Sequence, residues 1–163
     1  MARISANEAG GANVLAYLDM IAWSELGPGL LTPATDDGYR VCVGSTPAKP
    51  ILFDSYATHP RIRSDKLDSN AAGRYQLMGR YWEPYRKQLA LPDFGPVSQD
   101  KVAIQLIKEC KALALVQAGK IPEAVHACRS RWASFPGGGY DQPTHAIADL
   151  QLAFSRAGGR RTA

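Results

Sequence analysis

Leu18-Asp19-Met20-Ile21-Ala22-Trp23-Ser24-Glu25, followed closely by Gly27-Pro28-Gly29, is the stretch on which the reading turns. Val14, Leu15, Leu18, Ile21 and Ala22 recur at the spacing of an apolar helix face. Asp19 and Glu25 depart from that stripe. The glycine-proline turn predicts the helix stop, so Glu25 falls at or near its C-terminus, facing whatever the next loop encloses. Upstream, Ser5-Ala6-Asn7-Glu8 has the form of a capping box, which starts the helical region. A carboxyl beside the Trp23 ring loses water, and that loss raises its pKa. A carboxyl that stays protonated near neutral pH can give its proton to a leaving oxygen. The alternative is a solvated glutamate at a helix end, where the helix dipole mildly disfavours it.

Working outward, residues 30–70 change character. Val41, Val43, Ile51 and Phe53 predict short strands, the best of them Tyr39-Arg40-Val41-Cys42-Val43-Gly44. Residues 45–50 read as a loop, and His59-Pro60 opens irregular chain that runs to Asn70. Residues 71–89 read as helix, with Pro84 a kink or a second start. Residues 98–117 give the clearest helix, through Val102, Leu106, Cys110 and Leu113, and Gly119 ends it. Pro122 suits the first turn of the next helix, whose buried face is Val125, Cys128 and Trp132. Residues 144–157 form a last amphipathic helix through Ile147, Leu150 and Phe154. The expected fold class is α+β: one domain over residues 1–159, with a β-rich insertion at about 36–68 and a loose basic tail at 160–163. A small β-rich lobe and a larger helical lobe imply a ligand-binding cleft between them.

Composition narrows the classes. The chain has 163 residues, 45% hydrophobic and 21% charged, which is ordinary for one globular domain. No apolar run reaches the roughly 18 residues a membrane helix needs, and Met1-Ala2-Arg3-Ile4-Ser5 lacks the pattern of a secretory signal. Cys42, Cys110 and Cys128 make no CxxC pair and read as free thiols of a chain made in a reducing cytoplasm. A Cys110–Cys128 bridge is the alternative. His59, His126 and His145 lie far apart without HExxH spacing, so no metal site is expected, and they read as surface or satisfied core residues. No P-loop or G-x-S-x-G elbow occurs, and no cofactor is implied. The net charge of +4 suits anionic surroundings. Lysines and arginines are spread along the chain rather than clustered, which argues against nucleic-acid binding.

Two further segments suit a sugar cleft. In Ala72-Gly73-Arg74-Tyr75-Gln76-Leu77, Gly73 would let a substrate approach the backbone. Tyr75 would offer a stacking face and Gln76 amide hydrogen bonds to an N-acetyl group. The alternative has Tyr75 and Leu77 as packing and Gln76 as surface. In Phe135-Pro136-Gly137-Gly138-Gly139-Tyr140, the glycines could aim Tyr140 into the cleft; a plain interhelix loop is the other reading.

These pieces, with Gly38 to Gly44, Phe53-Asp54-Ser55-Tyr56, His59-Pro60, Trp82, Tyr85 to Leu89, Ser98-Gln99-Asp100 and Trp132-Ala133-Ser134, run in an order that resembles the lambda phage endolysin family. The likeness covers roughly residues 14–159, and the ordered set is more specific than any one motif. It implies a lysozyme-like fold and lytic transglycosylation of peptidoglycan: cleavage of the β-1,4 bond between N-acetylmuramic acid and N-acetylglucosamine, leaving 1,6-anhydromuramic acid. Glu25 matches the single catalytic acid-base. By the same resemblance Tyr140 hydrogen-bonds or positions the glutamate, Tyr75 and Gln76 line the sugar subsites with Gly73, and Ser24 is a further, weaker candidate. A hydrolytic lysozyme would need a second carboxylate, for which Asp36, Asp37 and Asp54 are available. A non-catalytic wall-binding module would keep the cleft aromatics but has no need of Glu25. The resemblance also implies synthesis in the host cytoplasm, release by a holin-type membrane partner and action on the periplasmic wall. A monomer is expected, since no large unpaired apolar face is evident.

Overall fold

Ser5 caps helix α1 (Ala6–Ala9) with the reciprocal bonds of a capping box: its hydroxyl accepts from the Glu8 N–H, and the Glu8 carboxylate accepts from the Ser5 N–H. Gly10, left-handed at φ 96°, ends that turn, and α2 (Ala12–Leu26) begins two residues later. One expected helix is therefore two. The structure is a computed structural model, described here over residues 1–137 and 144–162.

Helix α2 is buried on nearly all sides, through Val14, Ala16, Tyr17, Leu18, Met20, Ile21 and Ala22. A helix apolar all round belongs at the centre of a domain. Around it pack α1, α4 (Pro96–Glu109), α5 (Leu113–Gln117) and α7 (Ile147–Arg156), while α6 (Ile121–Cys128) joins α5 to α7. Helix α3 (Gly79–Gln88) runs through Pro84 and buries Trp82 and Tyr85. The helix expected over 98–117 is broken at Cys110–Ala112, where Lys111 takes φ 56°. That bend turns α5 back onto α2. Among the described residues no helix is long and apolar enough to cross a membrane.

The β-rich insertion expected at about 36–68 is corrected by the structure. That stretch holds isolated antiparallel bridges and one three-residue helical turn, Asp65–Leu67, with no strand among the described residues. Residues 40–42 lie between 51–53 and 71–73: the Cys42 N–H donates to Ile51 O, Phe53 N–H to Arg40 O, and Gly73 N–H to Val41 O. The pairing stops after a residue or two because Gly38, Gly44, Pro47 and Pro50 punctuate the chain, Gly38 and Gly44 with positive φ. Residues 71–78, expected as helix, form a tight turn instead. Gly73 (φ 81°) and Gln76 (φ 49°) are both left-handed, which no α-helix accommodates. Ala72 and Leu77 exchange both backbone hydrogen bonds across it.

Aromatic packing and buried polar ties hold this irregular region instead of a sheet. Phe94 meets Phe53, His59 and Trp82 at ring distances of 5.9, 4.7 and 5.0 Å. Burial also lowers the pKa of His59, which favours its neutral form. Asp100, fully buried on α4, accepts from the Tyr39 and Tyr75 hydroxyls and from the Arg3 and Ile4 N–H groups. Arg74, with its side chain 2% exposed, pairs with Asp19 of α2 and with Asp37 at 2.9 Å each. The tail expected to be loose is tied down: Asn13 bonds both the N–H and the carbonyl of Arg160, and Thr162 N–H donates to Gly119 O.

Candidate active site

Glu25 sits in the last turn of α2, just before Gly27 closes the helix at φ 70°. It borders a cleft of about 910 Å³ between α2, the bridged segments, α3, α4 and residues 130–133. The residue keeps some surface at the cleft, but its carboxyl is packed deeply enough that burial raises its pKa. Two hydrogen bonds work against that rise. The Ser134 hydroxyl donates to Oε1 at 2.6 Å, and the Ser134 N–H reaches the same atom at 3.4 Å. With Oε1 held as an acceptor, Oε2 is the oxygen left to carry the proton.

Behind the carboxyl lies a short polar chain. Ser134 Oγ is 3.0 Å from Ser24 Oγ, and Ser24 donates to Ile21 O at 2.9 Å. The His145 ring nitrogen Nε2 is 3.1 Å from Ser24 O, and the His145 N–H donates to Ser134 O at 3.0 Å. The ring lies 4.6 Å from that of Trp23. Thus Trp23, expected as the wall beside Glu25, instead packs against His145. His145 clamps the end of α2 to the 132–135 loop.

The expected sugar-binding residues divide. Tyr75 and Gln76 both border the cleft. The Tyr75 hydroxyl is committed to Asp100 at 2.6 Å, so only its ring edges the cleft. The Gln76 amide N–H group donates to Gly73 O and Val41 O, so it braces the turn that carries it. Gly73 does not leave room for substrate: a Cβ there would stand 2.2 Å from Gln99 Oε1, so the missing side chain makes way for Gln99. Ser24 is 7% exposed and lies behind Glu25 rather than at the cleft surface. Tyr140 lies outside the described residues.

The expected second carboxylates are engaged elsewhere. Asp36 accepts from Tyr56 and Arg3, Asp37 pairs with Arg74 and the Met1 amino group, and exposed Asp54 pairs with Arg40. Among the described residues the carboxylates that border the cleft are Glu25 and Asp68, the latter held by Arg63. No cluster of described residues could hold a metal ion. Ser134 and His145 carry roles that sequence reasoning did not assign. Trp132-Ala133-Ser134 stood among the matching segments, but its contact with Glu25 spans 109 positions.

Residues 15–161 match the Endolysin family. The chain is 46% identical to the endolysin of Escherichia phage lambda over 147 residues, 88% of this chain and 90% of that one. It is 44% identical to the endolysin of Escherichia phage P2, over 90% and 93% of the two chains. Its fold superposes on bacteriophage lambda lysozyme complexed with a chitohexasaccharide, with a TM-score of 0.84 at 43% identity, over 99% of this chain and 100% of that one. A matching family over nearly the whole length, two relatives well above 40% identity and a shared lysozyme fold agree: the chain belongs to the endolysin family.

Proposed function

We propose that this endolysin cleaves the β-1,4 bond between N-acetylmuramic acid and N-acetylglucosamine of bacterial peptidoglycan, and does so by lytic transglycosylation. The observation that carries the reading is the half-buried Glu25 carboxyl, raised in pKa and held through Oε1 by Ser134, at the edge of a cleft large enough for a glycan. A lysozyme relative solved with a chitohexasaccharide supports a glycan as ligand.

The chemistry balances with one acid-base. Protonated Glu25 gives its proton to the glycosidic oxygen as the muramyl C1–O bond breaks. The muramyl 6-hydroxyl oxygen then bonds C1, and its proton passes to the Glu25 carboxylate. No water is consumed, so no second carboxylate is needed to activate one. The engagement of Asp36, Asp37 and Asp54 with arginines supports this scheme. Hydrolysis is the second reading, favoured by one observation: Asp68 borders the same cleft. In keeping with the family, we assign synthesis to the host cytoplasm and release to the wall through a holin-type partner.

Mass spectrometry of digested peptidoglycan tests the scheme, with Glu25→Gln beside the wild type. Products one water lighter than hydrolysed muropeptides, lost in the variant, are the expected result. Reducing muramic ends would replace transglycosylation with hydrolysis and make Asp68→Asn the next variant. No products at all would point to a binding module.

A further inference from the structure

Among the described residues, four charged side chains border the cleft: Glu25, Asp68, Arg80 and Arg131. Three are accounted for. Glu25 is bonded to Ser134, Asp68 to Arg63, and Arg131 to Glu109 at 3.3 Å. Arg80 has no acidic partner among the described residues; its guanidinium lies 5.0 Å from the ring centre of Tyr81. It also occupies the first turn of α3, where a cation is mildly disfavoured by the helix dipole. Beyond that ring contact, the described residues offer the cation no counter-charge.

The neighbours of Arg80 are also unlike a purely sugar-binding surface. Tyr81 is 44% exposed and Leu67 49% exposed, and both border the cleft. One turn further along α3, Tyr85 donates to Glu109, the same carboxylate that holds Arg131. This stretch of the cleft thus combines a guanidinium with no acidic partner among the described residues, an exposed ring and an exposed aliphatic side chain. The N-acetylated glycan backbone is neutral and offers Arg80 no counter-charge. The peptide stem on each muramic acid lactyl group does: it carries free carboxylates on a short chain with aliphatic side chains.

We infer that Arg80, with Tyr81 and Leu67, forms a subsite for the peptide stem of peptidoglycan, the guanidinium taking a stem carboxylate. The inference rests on the proposed function and adds a specificity determinant to the same cleft. A carboxylate held at an exposed guanidinium is worth up to about 1 kcal/mol, or about fivefold in kcat/KM, and it weakens with salt.

The test compares soluble glycan strands bearing their stems with the same strands stripped by an amidase and then amidated at the lactyl carboxylates that the amidase frees. Wild-type kcat/KM is expected to be about fivefold higher on stem-bearing strands at low ionic strength, with the gap closing at high salt. Arg80→Ala is expected to shrink that ratio by most of its value, and Arg80→Lys to restore part of it. Amidation of the stem carboxylates should have the same effect on the wild type as Arg80→Ala. Equal wild-type rates on both substrates, or an equal loss on both with Arg80→Ala, would overturn the stem subsite while leaving the proposed activity standing. A wild type that releases no products from either substrate would overturn both.

Discussion

Burying the Glu25 carboxyl costs stability in its ionised form, and that cost has a pH signature. The folded pKa lies above the ordinary value of 4.5, because burial outweighs the two bonds from Ser134. Between those values the native state keeps a proton the unfolded chain has lost. The group's contribution is fully present below about pH 4.5 and is lost as pH rises through the folded pKa. Glu25→Gln should therefore melt above the wild type at pH 7.5 and with it at pH 4, as read by calorimetry. The same variant should lose at least about 100-fold in activity, the range of a general acid. Ser134→Ala removes the hydroxyl bond that holds the pKa down and leaves the backbone N–H contact in place. It should push the alkaline limb of the kcat/KM profile to higher pH, and lower kcat by about tenfold because the carboxyl loses its fixed orientation. An unshifted limb with lower activity would mean that Ser134 acts only on the fold.

Between elements, the weight falls on close contacts that leave no spare volume. Gln99 of α4 fits where Gly73 has no side chain; its Oε1 accepts the Arg74 N–H at 2.9 Å, and its amide N–H group donates to Tyr39 O and Phe94 O. Gly73→Ala adds a Cβ into that space and imposes a side chain at φ 81°. Both effects destabilise, and together they should cost about 2–4 kcal/mol in urea unfolding. Asp100 offers an independent check. Asp100→Ala leaves the Tyr39 and Tyr75 hydroxyls and two backbone N–H groups without their acceptor, and should cost about 3 kcal/mol or more. Both variants loosen the turn that carries Tyr75 and Gln76, so a rise in KM should accompany the lost stability.

Across the whole molecule, the buried Arg74 ties the turn beside the cleft to the central helix. Arg74 reaches from the 71–77 turn to Asp19 on the central helix and to Asp37 in the loop beyond it. Replacing the cation takes the guanidinium from two carboxylates that are mostly shielded from water, 14% and 21% exposed, and among the described residues leaves Asp19 only the Ala2 N–H and Asp37 only the Met1 amino group. Arg74→Met should cost about 3 kcal/mol, which is roughly 10 °C in Tm for a chain of this size. Activity should fall only in proportion to the unfolded fraction at the assay temperature, because Arg74 does not border the cleft. The tie between Asn13 and Arg160 holds the C-terminal residues against α2.

The apolar spacing from Val14 to Ala22, ended by Gly27-Pro28-Gly29, was enough to place a helix and to set Glu25 at its end. Local rules suffice there, since helix periodicity and a glycine stop act within a few residues. The order of segments was enough for the family. Local rules fail over residues 36–78, where β-forming residues predict strands and Tyr75 to Leu77 predict helix, and the chain forms isolated bridges and a tight turn. The aromatic contacts of Phe94, the acceptor offered by Asp100 and the Gln99 amide that donates to Tyr39 O override those preferences, and each joins residues far apart in the chain. Gly73 shows the same limit: its sequence says only that a side chain is absent, and the fold decides that Gln99 takes the space. The candidate acid was thus legible in the chain. The state of its proton was not, because that depends on burial and on a serine 109 positions away, which only the tertiary structure brings to its oxygen.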